Sequence, residues 1–135
     1  MNLFVYGTLM LPEIWFEVTR ENNSYSKALL DGFFRSKLKG EVYPGIYRKI
    51  GRSVDGLIYY DVSPFAIEKL DIFEGERYQR IKINVTVNRH SFQAETYELS
   101  TAYHYLITDE KWSLEEFIRS GNDHFKDNYI GFKRI

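Results

Sequence analysis

The stretch LDIFEGERYQR, residues 70–80, holds the side chains of this chain that are best placed to do chemistry. Ser63 as an N-cap and Pro64 at the first helical position predict a helix of roughly ten residues. It stops at Gly75, which suits the left-handed residue that often follows a helix. On that helix Ile67, Leu70 and Glu74 are spaced i, i+3, i+7 and share one face, with Ala66, Leu70 and Phe73 as the neighbouring stripe. Glu74 thus extends an apolar face where a hydrophobic residue would be expected. Burial disfavours the charged carboxylate, and the negative end of the helix dipole does the same. Both effects move Glu74 from about 4.3 toward the range of roughly 6 to 7 where a carboxylate accepts protons efficiently. The pattern also accommodates a Glu74 that tilts outward or pairs with Arg77 or Arg80. Tyr78 reads equally as a hydroxyl aimed back at the same place or as a sheet aromatic with a wet edge. Glu68 and Asp71 fall off the face and read as solvated.

Other chemistries have less support. The chain has no cysteine, which excludes disulfides, thiolate metal sites and a cysteine nucleophile. His90, His104 and His124 lie 14 and 20 residues apart, without the paired spacing of a metal site. No GxSxG nucleophile turn, GxGxxG or phosphate-binding loop is present.

The elements that must position Glu74 are mostly strands. LFVYGTLM, residues 3–10, begins as a strand and halts at Gly7. That stop is either a plain turn or an exposed backbone able to hold something. Pro12 opens a short helix to about Arg20. Residues 25–38 read as extended, with Gly32 a bulge or bend. Pro44-Gly45 reads as a turn, and residues 53–62 as a strand ending at Ser63-Pro64. Residues 79–87 alternate cleanly, Ile81, Ile83, Val85 and Val87 facing one way, and NRHS turns them into a partner over residues 92–99. Ser113 and Glu116 form a capping box, and Trp112 and Phe117 a hydrophobic staple, for a last helix ending near Gly121-Asn122. The aromatic segment after it should pack back on the body. Strands outnumber helices, so the fold class expected is α+β, a mostly antiparallel sheet or small barrel with a few helices.

At 135 residues, the chain is expected to form a single domain over 1–135. Aromatic residues make up 17%, a surplus that suits half-buried sheet surfaces. The formal net charge of -1 gives no overall field to attract nucleic acid or an anionic membrane. No apolar run approaches the roughly 18 residues of a membrane-spanning helix. The N-terminus lacks the basic region of a signal peptide, so a cytoplasmic location is expected.

Four motifs in order, VYGTL at 5–9, YPGIY at 43–47, VDGLIYYDV at 54–62 and LDIFEGERYQR at 70–80, resemble the γ-glutamylcyclotransferase-like superfamily. The nearer likeness is to its AIG2-like, γ-glutamylamine cyclotransferase branch. It extends over nearly the whole chain and weakens after about Thr101. The resemblance implies a small mixed β-barrel with flanking helices and a cavity at the barrel mouth. It implies that Tyr6, Gly7, Thr8 and Leu9 bind the glutamyl part of a substrate, largely through backbone groups, and that Glu74 is the catalytic acid/base. Tyr78 and Tyr97 correspond to its substrate-binding tyrosines. The activity implied is release of 5-oxoproline and an amine from a γ-glutamyl amine or γ-glutamyl amino acid, without metal or cofactor. Such a substrate carries its own nucleophile, so the enzyme need only fold it and move protons.

Two readings of other classes stand beside it. One is a non-catalytic module that captures a small carboxylated ligand in the same cavity. The other is an aromatic barrel that stacks the bases of single-stranded nucleic acid, which the near-neutral charge and absence of a basic groove disfavour.

Overall fold

The computed structural model describes residues 1–135. Its six strands are β1 (Leu3–Val5), β2 (Tyr25–Leu38), β3 (Pro44–Tyr59), β4 (Tyr78–Val87), β5 (His90–Leu99) and β6 (Ile107–Lys111). They are ordered β3-β1-β5-β4-β2-β6, and β2 also pairs with β3, which closes the first five into a barrel. Only β1 and β5 run parallel; every other pairing is antiparallel. Closure removes the open edges that a five-stranded sheet would expose. No helix is long and apolar enough to cross a membrane.

The long β2–β3 pairing bends at Gly32, where the register shifts between Asp31 and Phe33 and φ is +84°, as a bulge glycine requires. The expected turn at Pro44-Gly45 is instead the start of β3: Ser36 pairs with Gly45 and Lys37 with Pro44. The chain reverses earlier, around Lys39-Gly40, where Gly40 has φ +75°. Pro44 is tolerated because it is the first residue of its strand. The β4–β5 hairpin forms as its alternation predicts, turning on Asn88 and Arg89, both at positive φ. Val85 and Val87 are buried, while Ile81 and Ile83 are half-buried.

Strand β1 is buried on both faces. Phe4, and Tyr6 just beyond the strand, join Leu30, Ile46, Ile58, Val85 and other strand residues in a core inside the barrel. Leu3 and Val5 face a second core, where α1 (Pro12–Thr19) and α2 (Pro64–Glu74) pack on the outside of the sheet. There Trp15 stacks on Tyr59 at 3.7 Å.

The C-terminal third departs most from expectation. Ser113 Oγ accepts the Glu116 N–H at 3.3 Å, and Trp112 meets Phe117 at 5.7 Å, so the cap and the staple form. The Glu116 carboxylate, however, accepts from Lys37 at 3.0 Å rather than closing the box. The helix does not end at Gly121. It runs from α3 (Leu114–Glu116) through a π-turn (Phe117–Gly121) into α4 (Asn122–Asn128), and α5 (Gly131–Arg134) follows. Gly121 reads as a stop, yet it sits against Val42 and Phe117, with space for no side chain without movement. Phe125, Tyr129 and Phe132 then pack on Phe73 of α2, as the aromatic content of this segment suggests.

Candidate active site

Helix α2 carries Glu74, and its start is firmly fixed. Ser63 Oγ accepts the Ala66 N–H at 3.0 Å, and the Glu21 carboxylate accepts the Ser63 hydroxyl and its N–H. Ala66, Ile67, Leu70 and Phe73 are buried against the second core. Gly75 ends the helix at φ +75°, ψ −162°, outside the left-handed helical region expected of it and in one that essentially only glycine adopts. The chain therefore leaves sharply, with Glu74 as the last helical residue beside the buried stripe.

Glu74 faces a narrow cavity of about 30 Å³. The same cavity is lined by Tyr6, Gly7, Thr8, Leu9, Tyr78 and Tyr97, so every residue assigned to the site from sequence meets there. The loop portion is the short 3₁₀ turn Thr8–Met10, whose first hydrogen bond is Met10 N–H to Gly7 C=O at 3.0 Å. The N–H groups of Thr8 and Leu9 precede that bond and have no partner within the turn. The Arg35 guanidinium donates to the Tyr6 carbonyl at 2.8 Å and pairs with Asp55 at 3.0 Å, which braces the loop from outside.

Glu74 has neither of the arginine partners that its sequence neighbourhood offers. Arg77 pairs with Glu41 at 2.7 Å, and Arg80 pairs with Asp71 at 2.9 Å and with Glu95. Burial raises the Glu74 carboxyl to about 8, and the nearby charge of Asp71 adds to the rise. By accessible surface Glu74 is half-buried rather than sealed. What solvent reaches it does so through the inner cavity and a larger outer one, about 310 Å³, which it also lines.

The tyrosines form the wall, but their hydroxyls are committed elsewhere. Tyr6 donates to the Tyr97 carbonyl at 2.6 Å and Tyr78 to the Pro44 carbonyl at 2.7 Å. The Tyr78 hydroxyl is therefore not aimed at Glu74. Tyr97 donates to Asp71 at 2.6 Å, and burial with that bond raises its pKa strongly. Asp71, which reads from sequence as merely solvated, is thus the link between Tyr97 and Arg80. Its signal was present: Asp71 and Arg80 are opposite charges at the two ends of one motif.

Sequence reasoning also misses Phe125 and Tyr129, which line both cavities. The Tyr129 hydroxyl donates to the Glu74 backbone carbonyl at 3.2 Å. No local pattern joins residues 55 apart, so only the folded tail reveals this contact. Tyr43 and Pro44, from the YPGIY motif, line the inner cavity too.

Residues 3–114 match the family described as gamma-glutamyl cyclotransferase, AIG2-like. The chain is 30% identical over 131 residues to AIG2-like protein C of Arabidopsis thaliana, covering 96% of this chain and 73% of that one. A solution structure from Arabidopsis thaliana superposes with a TM-score of 0.74 at 28% identity, over 93% of this chain and 85% of the other. An AIG2-like protein from Mus musculus shares the fold at a TM-score of 0.61 and 24% identity, over 83% of this chain and 87% of the other.

Proposed function

This chain belongs to the gamma-glutamyl cyclotransferase, AIG2-like family, and we propose that it is a cyclotransferase that converts a γ-glutamyl amine or γ-glutamyl amino acid to 5-oxoproline and a free amine. The observation that carries the reading is Glu74, a carboxyl without a cationic partner, held near pH 8 in a cavity beside an amide-bearing loop.

The inner cavity, about 30 Å³ as it stands, widens to admit the γ-glutamyl group, which binds with its scissile amide at Glu74. The substrate's α-amine, freed of a proton by the ionised Glu74 carboxylate, attacks the γ-carbonyl carbon. A C–N bond forms and closes the five-membered ring. The protonated Glu74 then donates its proton to the departing nitrogen as the original C–N bond breaks, and the ring nitrogen's second proton passes to the released amine, which leaves as an ammonium. One carboxyl serves both transfers, and a pKa near the working pH suits both directions. Amides at Gly7, Thr8 and Leu9 hold the substrate carboxylate or the developing oxyanion. Tyr6, Tyr78 and Tyr97 supply the wall that bends the chain of the substrate into reactive geometry, their hydroxyls tying that wall together. The chemistry needs no metal or cofactor, and the location expected from sequence remains cytoplasmic.

Gly7 lets the loop close tightly on Pro44. A Cβ there would lie 2.9 Å from Pro44 Cγ and push on the carbonyl that holds Tyr78. Gly7→Val is expected to cost about 1–3 kcal/mol of stability, as overpacking does. It should raise KM by a larger factor than that loss suggests. Urea midpoints and KM measured together check this; a fallen midpoint with unchanged KM would make Gly7 a packing residue only.

The direct test of the function is mass-spectrometric detection of 5-oxoproline from a panel of γ-glutamyl amines and γ-glutamyl amino acids. Product from at least one substrate is expected. Ligand capture without product across the panel would instead favour the non-catalytic binding module.

A further inference from the structure

Beyond Glu74 lies the outer cavity, which shares Tyr43, Glu74, Phe125 and Tyr129 with the inner one. If the glutamyl group fills the inner space, everything past the scissile bond must lie in this outer one. Its charged groups therefore read the leaving amine. Most of them are already engaged. Arg77 pairs with Glu41 and also donates to the Tyr43 hydroxyl at 2.7 Å. Glu76 faces the Tyr103 hydroxyl, whose pKa it raises. The His124 ring is met by the Asn128 amide at 3.3 Å.

Arg134 is the exception. It lines the outer cavity and makes no ion pair. Its Nη1 stands 2.8 Å from where a Cβ on Gly75 would be, so the guanidinium lies against the residue that follows Glu74. An exposed cation with no ion pair thus stands at the reacting end of the cavity, on a segment beyond the family match at residue 114. Gly131 keeps that segment in place, packed against the Phe73 carbonyl and the Tyr129 ring with no space for a side chain.

We propose that the outer cavity selects a leaving amine that bears its own carboxylate, an amino acid rather than a simple amine, with Arg134 binding that carboxylate. The proposal rests on the cyclotransferase reading and names its substrate class. Guanidinium and carboxylate match in a two-donor fork, and such a charge-assisted pair in a partly enclosed cavity is stronger than a neutral hydrogen bond. A structural alternative is that Arg134 only complements the negative C-terminal end of α2. That role changes stability and predicts no discrimination between substrates.

γ-Glutamylalanine and γ-glutamylethylamide differ only by the carboxylate on the leaving amine. Their binding to Glu74→Gln, which removes turnover from the measurement, is read by calorimetry. The alanine compound is expected to bind about tenfold tighter. Arg134→Ala added to this background should erase the preference, and Arg134→Lys should restore part of it. Equal affinities in Glu74→Gln, a preference that survives Arg134→Ala, or no binding of either compound would overturn the assignment. A parallel assay of 5-oxoproline with the unaltered protein separates the two claims. Product without an Arg134-dependent preference overturns Arg134 alone. An Arg134-dependent preference without product overturns the cyclotransferase reading and leaves the carboxylate site standing.

Discussion

Glu74→Gln is expected to lower turnover by a factor of about 10²–10⁴, the usual contribution of a positioned acid/base group, while the fold and affinity for γ-glutamyl compounds persist. Glutamine has the shape of the protonated carboxyl, and with the Glu74 pKa near 8 that neutral form already predominates at pH 7. The Tyr129 hydroxyl bond goes to the Glu74 backbone carbonyl, so the substitution leaves it intact. No arginine is stranded, because Arg77 and Arg80 are paired with other carboxylates. What disappears is only the capacity to take and return a proton. Steady-state kinetics with calorimetry on the same preparation checks both halves. Wild-type turnover in the variant would remove Glu74 from the mechanism, and loss of binding together with turnover would assign it to the pocket instead.

The second large effect is thermodynamic. In the folded protein Glu74 holds its proton until about pH 8, whereas the unfolded carboxyl releases it near its reference value of 4.5. Between those values the native state binds the extra proton, so stability falls as pH rises. The contribution is fully present below pH 4.5 and is lost by about pH 8, at about 1.4 kcal/mol for each pH unit crossed. Glu13 and Glu21 are shifted the opposite way, downward, by partners including Lys126 and Ser63, so their stabilising effect is lost at acid pH. The difference between wild type and Glu74→Gln isolates Glu74 from them. Urea unfolding of both proteins from pH 5 to 8 should show the glutamine variant gaining on wild type throughout. Parallel curves would mean that Glu74 is not desolvated.

Local signals account for most of the barrel. The clean alternation over Ile81–Val87 locates β4, and Ser63, Pro64 and Gly75 bound α2, because each signal lies within a few residues of what it controls. Pro44 misleads for the same reason: in isolation Pro-Gly favours a turn, and only its pairing with Lys37 makes it a strand start. Gly121 misleads likewise, since its close approach to Val42 is a long-range contact that overrides a local stop signal. At the site, the apolar spacing around Glu74 exposes a misplaced carboxyl, but cannot distinguish burial from an arginine pair. The barrel decides that by drawing Arg80 to Asp71 and Glu95, and Arg77 to Glu41. The aromatic wall from Phe125 and Tyr129 is legible only once the tail folds back on Phe73.

The central claim, that Glu74 is the proton-transfer group, is tested most directly by the pH dependence of kcat/KM in wild type and Asp71→Asn. The ionised carboxylate starts the reaction, so wild-type kcat/KM should rise with pH and bend near pH 8. Asparagine keeps an acceptor for the Tyr97 hydroxyl, bonded to Asp71 at 2.6 Å, but removes the charge that helps to hold the Glu74 proton. The bend should therefore move to lower pH in Asp71→Asn. A bend at the same pH in both proteins, or a profile flat through this range, would contradict the assignment.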